Sequence, residues 1–356
     1  MPRSLIVNKS DLRTTQSIEV PAAQAADGQI VVAVNRFALT ANNVSYGVAG
    51  DLLGYWGFFP ADEGWGRIPV WGIATVTQSK HADVSVGSRF YGYFPMAEEL
   101  VMQPSTVSSL GFSDAIPHRA ALPPMYQEYV QVTEENGFAP AFDNHQLLYR
   151  ILFATSFHLD DYLALQNFYG GNTVVLGSAS SKTAMGLAFL IKQRAGISCV
   201  GLTSAGNKGF VSGLGIYDSV VTYDEVASLD TSKPSIYVDM AGNRAVLAQV
   251  HQHLGDNLVA SIGVGATHWN ADAEGATELA GPTPEFFFVP DHIIKRRDEM
   301  GADSYRQAIG AATNAFYSAV DDWIRIEEHP YAELSSVYQA MLDGVAPNRG
   351  IIVTVA

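Results

Sequence analysis

Hydrophobic residues follow three different patterns along the chain, and the pattern changes near residues 150 and 290. Up to residue 150, short apolar runs such as 30–34, 73–77 and 89–94 are separated by Gly, Pro, Asn and Asp. This spacing is typical of the strands of a β-rich barrel or sandwich. We therefore predict a β-rich domain over residues 1–150.

Between residues 151 and 290, short apolar runs alternate with segments of helical periodicity. The predicted strands are 173–177, 198–203, 219–223, 235–240, 258–263 and 285–289, and the predicted helices are 182–194, 207–214 and 245–254. Fully apolar strands that alternate with helices indicate a parallel sheet covered on both faces. Because strand–helix–strand connections are right-handed, the predicted class is α/β with a Rossmann-type, doubly wound parallel sheet.

The last part of the chain, after residue 290, has a hydrophobic pattern that differs from those of the two preceding regions. Residues 291–330 have the periodicity of helices, and 351–355 form an apolar run that predicts a strand. We expect this strand to return to the sheet of the β-rich domain. The predicted division is therefore 1–150 with 291–356 in one domain and 151–290 in the other.

Acidic residues outnumber basic ones, since 36 Asp and Glu against 21 Lys and Arg give a net charge of −15. A surface of this charge repels phosphate backbones and anionic lipids, so we expect neither nucleic acid nor a membrane as a partner. The single Cys199 excludes an internal disulfide and a Cys-rich zinc site. No apolar segment of a signal peptide follows Met1. These features favour a cytoplasmic protein.

The turn after the first apolar strand of the predicted parallel sheet is a candidate phosphate-binding loop. A helix begins there, and its free N–H groups and positive partial charge suit a pyrophosphate. The glycine pattern G-x-G-x-x-G is absent, and the spacing does not fit a Walker A loop. The alternative is a serine-rich N-cap on a core helix. The residues predicted to bind phosphate are Gly177, Ser178, Ser180, Ser181, Lys182 and Thr183.

The end of the second strand carries Thr203, Ser204 and Lys208 and no acidic residue. A site for NAD would place Asp or Glu here on the ribose 2′-hydroxyl, whereas a 2′-phosphate needs cations and hydroxyl donors. The pattern therefore favours NADP(H), with Tyr223 at the end of the third strand as a further donor. The alternative for Lys208 is a solvated helix residue.

Several segments together resemble a known superfamily. They are 39–46 (LTANNVSY), 150–157 with Asp160 and Asp161, 180–184 (SSKTA) and 287–293 (FFVPDHI). Over essentially the whole chain the sequence is similar to the medium-chain dehydrogenase/reductase superfamily, in its zinc-free quinone oxidoreductase and enoyl reductase branch. Within that branch it most resembles the DUF2855 family. The resemblance implies a GroES-like β-rich domain and a Rossmann NADP(H)-binding domain.

The resemblance also implies roles for residues of the Rossmann domain. Lys208 and Tyr223 look like the pair that grips the 2′-phosphate. The turn with Ala241 and Gly242 resembles the D-x-x-G turn after the fourth strand, and Gly263 in the run 262–265 resembles the loop beside the nicotinamide. The superfamily often forms homodimers through the edge of the Rossmann sheet, where 260–269 is expected to contribute. His268 and Trp269 are expected at the ligand end of that sheet.

Compared with zinc-dependent members, the sequence lacks the metal ligands. Asn43 stands at the position of a zinc-binding Cys, and Pro-Val-Trp-Gly at 69–72 replaces Gly-His-Glu. A catalytic zinc therefore has no ligand set. Ser45 falls where zinc enzymes carry a proton-relay hydroxyl, and Tyr46 replaces an aspartate that is common in the quinone branch.

Without a metal, an enolate-like oxygen needs a hydroxyl or amide donor. Tyr46, Tyr55 and Asn43 are the candidates, and the aromatic-rich stretch 46–65 would form a pocket for a small apolar carbonyl-containing substrate. The alternative is that these tyrosines are core or pocket walls. Asp160 and Asp161 are expected as a charge pair at the start of a helix.

These observations predict an NADPH-dependent oxidoreductase that reduces an activated C=C bond of an enone, enoyl or quinone type. Fold does not determine chemistry, so two alternatives stay open. One is a redox-neutral lyase or retro-aldol enzyme that uses Lys182 and Tyr46. The other is a non-catalytic NADPH-binding protein.

Overall fold

The computed structural model describes residues 1–264 and 279–355. The chain divides into two compact units. The first contains Met1–Leu148 and Arg325–Ala356, and the second contains Tyr149–Ile324. Gly265, His268 and Trp269, which the sequence analysis placed near the nicotinamide and at the ligand end of the sheet, lie outside the described residues.

Strands and helices are numbered here in chain order. The strands are β1 (Arg3–Asn8), β2 (Thr15–Glu19), β3 (Ile30–Leu39), β4 (Trp65–Gly66), β5 (Pro69–Ser79), β6 (Arg89–Pro95), β7 (Glu99–Met102), β8 (Pro104–Ser108), β9 (Gly111–Asp114), β10 (Glu128–Gln131), β11 (Thr173–Gly177), β12 (Ser198–Thr203), β13 (Ser219–Thr222), β14 (Ser235–Asp239), β15 (Leu258–Gly263), β16 (Glu285–Phe286), β17 (Arg325–Pro330) and β18 (Arg349–Thr354). The α-helices are α1 (Ala41–Val48), α2 (Asp143–Leu165), α3 (Lys182–Ile191), α4 (Lys208–Gly213), α5 (Arg244–Leu254), α6 (Val289–Met300), α7 (Ala302–Val320) and α8 (Leu334–Asp343).

The first unit is built on a largely antiparallel sheet of order β17-β18-β3-β5-β6-β10-β9-β8, with β7 also paired to β3 and a smaller sheet β2-β1-β4. Apolar residues that alternate along β3 and β5, such as Val32, Val34 and Val76, are buried in one core. The last strand β18 pairs antiparallel with β3, with Ile352 opposite Ala38, as predicted for 351–355. Residues 325–330 were predicted as helix but form β17, because they pair in parallel with β18.

The second unit contains a parallel sheet of order β13-β12-β11-β14-β15-β16. All residues of the central strands β11 and β14 are buried, as expected for strands covered on both faces. The order reverses between β11 and β14, which is the topological switch point where ligands bind in doubly wound sheets. The predicted doubly wound parallel sheet is confirmed, and β16 is its sixth strand.

Helices α6 and α7 belong to the second unit, whereas the sequence-based division assigned residues from 291 onward to the other domain. The physical reason is packing on α2. Phe316 of α7 stacks on Phe153 with ring centroids 4.4 Å apart and meets the edge of Tyr149 at 5.3 Å. No helix within residues 1–264 or 279–355 is long and apolar enough to cross a membrane.

The position of Asp160 and Asp161 differs from the expected helix start, because both lie near the C-terminal end of α2. Asp160 accepts two hydrogen bonds of 2.6 Å from Arg194. Asp161 contacts His292 Nε2 at 2.7 Å and Arg296 Nε at 2.8 Å. The two carboxylates therefore hold neighbouring elements of the second unit to α2.

Candidate functional site

The turn between β11 and α3 has an unusual backbone. Ser178 adopts φ +52°, in the left-handed region that favours glycine. The turn is held by hydrogen bonds from Ala179 N to Leu202 O (3.0 Å) and from Ser181 N to Ser178 O (2.8 Å). Strained backbone of this kind is concentrated at functional sites. Ser181 is the N-cap of α3 and accepts from Ala184 N at 3.2 Å, so its side chain has the capping role.

Two glycines allow close approach at this turn although the G-x-G-x-x-G pattern is absent. A Cβ at Gly177 would lie 2.7 Å from the hydroxyl of Tyr237. A Cβ at Gly186 in α3 would lie 2.6 Å from Ser156 Oγ, so this glycine permits close packing of α3 on α2. The turn thus combines a left-handed residue, Ser178, with two closely packed glycines at spacings that differ from G-x-G-x-x-G.

Side chains from three adjacent strand ends meet beside the turn. The hydroxyls of Ser178 and Tyr223 are 3.3 Å apart, which links the ends of β11 and β13. Asn207 Nδ2 donates to Ser180 Oγ at 3.0 Å, which links the turn to the segment after β12. The structure therefore brings together the predicted residues Ser178, Ser180 and Tyr223. Thr183 lies in the first turn of α3, and its carbonyl oxygen accepts a hydrogen bond of 2.7 Å from Ser156 Oγ.

The end of β12 holds a buried hydroxyl. Thr203 is 1% exposed, and its Oγ1 makes no hydrogen bond to the described residues. Buried polar atoms are almost always paired, so such an atom marks a place where a ligand or water can bind. Ser204 follows as a half-buried residue, and its carbonyl accepts from Asn207 N at 3.0 Å.

Lys208, at the start of α4, pairs with Glu225, whose carboxylate lies 2.7 Å from Nζ. Glu225 follows β13 and was not predicted as part of the site. Hydrogen bonds from Lys208 and from Thr222 lower the pKa of Glu225 to about 2. An acidic residue is therefore present beside Lys208, although it comes from the third strand rather than the second.

The turn after β14 is organised by Asp239. Its Oδ1 accepts from the backbone N–H groups of Ala241 and Gly242, both at 2.9 Å. Its Oδ2 is buried and makes no hydrogen bond to the described residues, and burial raises the pKa of this carboxyl. Asp239 pairs in register with Gly263 at the end of β15, so the predicted Ala241, Gly242 and Gly263 lie at neighbouring strand ends.

Lys182, the first residue of α3, is half-buried, and burial lowers the pKa of its amine to about 8. A cation at a helix N-terminus also opposes the helix dipole. The charged amine therefore destabilises the folded state, most of all below pH 8. The same positive charge suits an anionic ligand.

We expect Lys182→Met to stabilise the protein at pH 7 by about 1–2 kcal/mol. The unfolded chain keeps the proton up to about pH 10.5 whereas the folded one loses it near pH 8. The free energy of unfolding of the wild type therefore rises as the pH increases from about 8 to about 10.5. Over the same range the stability advantage of Lys182→Met decreases. Urea unfolding at pH 7 and 9.5 measures the difference, and a variant less stable than wild type at pH 7 would contradict the expectation.

Two of the candidate catalytic residues of the first unit, Tyr46 and Tyr55, belong to an aromatic cluster. Its buried members are Tyr46, Phe58, Phe59 and Tyr93, with Tyr55, Trp71, Leu100, Leu122 and Tyr126 packed against them. Trp71 Nε1 donates to the hydroxyl of Tyr46 at 3.3 Å, and the hydroxyls of Tyr55 and Tyr126 are 3.2 Å apart. Burial raises the pKa of Tyr46, so its hydroxyl keeps its proton as a donor.

Asn43 and Ser45 are placed differently from Tyr46. Asn43 is 2% exposed, its Oδ1 accepts from Thr40 N at 2.7 Å, and its Nδ2 donates to Pro69 O at 2.8 Å. One end of this amide therefore caps α1, and the other holds α1 to β5. Ser45 is exposed on α1 and donates to Ala41 O at 3.4 Å. These contacts assign Asn43 and Ser45 structural positions.

Sequence reasoning missed three polar residues near these sites. Tyr93 is fully buried with a hydroxyl that makes no hydrogen bond to the described residues, and Tyr126 lies beside Tyr55. In the second unit the missed residue is Glu225, although the T-x-x-E capping box at 222–225 is a signal that the sequence contains. In residues 1–264 and 279–355, no group of three or more His, Cys, Asp or Glu could hold a metal ion.

Solved structures with the same fold include CurA from Vibrio vulnificus in complex with NADPH, with 14% identity, 99% of each chain covered and a TM-score of 0.61. A mutant enoyl thioester reductase from Candida tropicalis is 11% identical over 99% of each chain, with a TM-score of 0.56. The yhdH oxidoreductase from Salmonella enterica in complex with NADP is 14% identical over 99% of this chain and 100% of its own, with a TM-score of 0.54. These likenesses confirm the predicted fold class, a GroES-like β-rich domain and a Rossmann domain.

No curated protein matches the sequence at a significant level. A family model described as "Protein of unknown function (DUF2855)" matches residues 37–347. Since this match covers most of the chain, the protein belongs to the DUF2855 family, as the resemblance predicted.

Proposed function

We propose that this protein is an NADPH-dependent oxidoreductase that reduces an activated C=C bond without zinc. The observation that carries the proposal is the group of hydroxyl and ammonium side chains at the ends of β11, β12 and β13. Ser178, Tyr223 and Lys208 lie there, and the acidic residue beside Lys208, Glu225, follows β13 rather than β12. Two proteins of the same fold are described in complex with NADPH or NADP, which supports the same cofactor here.

The residues present fit a dinucleotide phosphate. Gly177 leaves space where a Cβ would meet Tyr237, and the N-terminus of α3 offers backbone N–H groups to the pyrophosphate. The buried Thr203 Oγ1 has no protein partner among the described residues and can bond a ribose hydroxyl. Lys208 and Tyr223 supply a charge and a hydroxyl for the 2′-phosphate.

NADPH, when bound, supplies the hydride for the electrophilic carbon of the substrate. The chain must then stabilise the negative charge that develops on the carbonyl oxygen. A tyrosine hydroxyl that remains protonated is suited to donate a hydrogen bond, and then a proton, to that oxygen. Tyr46 is the first candidate and Tyr55 the second. The aromatic rings around them suit an apolar carbonyl-containing substrate.

One observation favours a second candidate function. The lowered pKa of Lys182, about 8, is the property of amines that act as bases or form Schiff bases with carbonyl compounds. A redox-neutral lyase or retro-aldol enzyme would use this amine and release product without net oxidation of NADPH. A non-catalytic NADPH-binding protein would bind the nucleotide and turn over none of the substrates.

Lys208→Ala is expected to weaken NADPH binding about tenfold or more, because it removes a charge-assisted contact to the 2′-phosphate. Binding of NADH, which lacks this phosphate, should be weak and unchanged. Titration with both nucleotides, followed by nicotinamide fluorescence, measures the effect. Lys192→Ala is the matched control, since Lys192 is an equally exposed lysine paired with Asp218 in the same unit.

Binding of neither nucleotide to the wild-type protein would contradict the reductase proposal. If NADPH binds, a panel of a small enone, a quinone and a short enoyl thioester tests turnover by the loss of NADPH absorbance. Product formation without this loss would favour the redox-neutral alternative. Binding without any turnover would favour a non-catalytic role.

We also propose that the protein forms a homodimer. The edge strand β16 and the residues after it expose Phe286 and Phe288, which are 43% and 50% accessible. Exposed aromatic residues on a sheet edge suit pairing with a second copy of the chain. Sedimentation velocity of the wild type and of Phe288→Glu tests the proposal, which a monomeric wild type would contradict.

A further inference from the structure

The ammonium group of Lys208 already has a close partner. Glu225 Oε2 lies 2.7 Å from Lys208 Nζ, with the two side chains 49% and 42% exposed. A 2′-phosphate that binds Lys208 must therefore displace this carboxylate or share the ammonium group with it. Sharing would place two anions side by side.

Glu225 cannot easily move away, because a second set of contacts holds it. It is the last member of a capping box with Thr222, and the same Oε2 atom accepts from Thr222 N at 3.1 Å. With a pKa lowered to about 2, the carboxylate is ionised throughout the working pH range. A fixed negative charge thus stands beside Lys208.

We propose that Glu225 is a specificity-determining residue that competes with the 2′-phosphate for Lys208 and so reduces the preference for NADPH over NADH. The inference rests on the proposed function, because it takes Lys208 as the ligand of the 2′-phosphate. The competition acts on the 2′-phosphate alone. The pyrophosphate is common to both nucleotides and is assigned to the N-terminus of α3.

Glu225→Gln separates the effect of the negative charge of Glu225 from the effect of its capping position. Glutamine can fill the same capping position and accept from Thr222 N, so the local turn is retained. The variant removes only the negative charge. Asp224→Asn is the matched control, because Asp224 is the adjacent exposed acid and the net charge changes by the same amount.

Isothermal titration with NADPH, NADH and adenosine 2′-monophosphate tests the proposal at low and at 0.5 M salt. Glu225→Gln is expected to tighten binding of NADPH and of the 2′-monophosphate about fivefold at low salt, and less at high salt. NADH binding should change less than about twofold, and Asp224→Asn should have little effect on any of the three ligands.

Unchanged or weaker NADPH binding by Glu225→Gln, while the wild type binds NADPH, would overturn the role of Glu225 and leave the reductase proposal standing. An equal increase in affinity for NADH would also overturn it, because the lost negative charge would then act on both nucleotides and not on the 2′-phosphate alone. Loss of NADH binding with unchanged NADPH binding would make Glu225 a ribose ligand instead. Failure of all proteins to bind either nucleotide would contradict both proposals.

Discussion

Arg119→Met is expected to lower the free energy of unfolding of the first unit by about 3–5 kcal/mol. Arg119 and Asp114 are 1% and 0% exposed, and Arg119 Nη1 lies 2.5 Å from Asp114 Oδ2. Removing one partner leaves the other charge buried and unpaired, which costs far more than the loss of an exposed ion pair. Urea unfolding followed by tryptophan fluorescence measures the change.

The same guanidinium group also positions the aromatic cluster. Arg119 Nε donates to Phe58 O at 2.9 Å, and the guanidinium carbon lies 4.6 Å from the centre of the Phe59 ring. The variant should therefore also loosen the segment that carries Tyr55.

Two controls accompany the Arg119 variant. Arg13→Met removes an exposed partner of Asp343 and should change stability by less than about 1 kcal/mol. Combining Arg119→Met with Asp114→Asn should recover part of the loss, because no unpaired charge then remains. A loss below about 1 kcal/mol for Arg119→Met alone would show that the buried pair does not support the unit.

Tyr46→Phe is expected to lower kcat about 100-fold for the enone or enoyl substrate that proves active, with the Kd for NADPH unchanged. The substitution keeps the ring that packs on Tyr55 and Tyr93 at centroid distances of 4.7 Å and 5.6 Å. It removes only the hydroxyl that accepts from Trp71. Steady-state kinetics together with a nucleotide titration separates a loss of chemistry from a loss of binding.

Tyr55→Phe and Tyr126→Phe are the matched variants, because their hydroxyls contact each other in the same cluster. We expect a smaller decrease for Tyr55→Phe and little change for Tyr126→Phe. If Tyr46→Phe and Tyr55→Phe both retain the full kcat, a tyrosine does not stabilise the developing charge. If all three variants lose stability equally, the three hydroxyls have a structural role in the cluster.

The parallel sheet was the most predictable part of the fold. The expected strands 198–203 and 258–263 have the bounds observed for β12 and β15. A strand that is buried on both faces must be apolar along its whole length, so its position can be predicted from the local sequence. The same holds for the candidate phosphate site, because the ends of successive parallel strands meet at one edge of the sheet.

Other parts depend on pairing between distant segments. Residues 325–330 form a strand only because β18 lies beside them. Tyr93 joins the cluster because β5 and β6 pair with Trp71 opposite Tyr93, a register that neither strand specifies alone. Glu225 reaches Lys208 because β12 and β13 pair with Thr203 opposite Thr222.

The sequence by itself therefore determined the class of fold, the order of the strands of the parallel sheet and of the helices between them, and the hydroxyl and lysine residues at the strand ends. These follow from local patterns of burial and from a topology with few alternatives. Only the tertiary structure decided which charges and rings face one another: Glu225 at Lys208, Arg119 at Asp114, and Tyr93 and Tyr126 around Tyr46. Such contacts depend on strand register and helix packing, which join residues far apart in the chain.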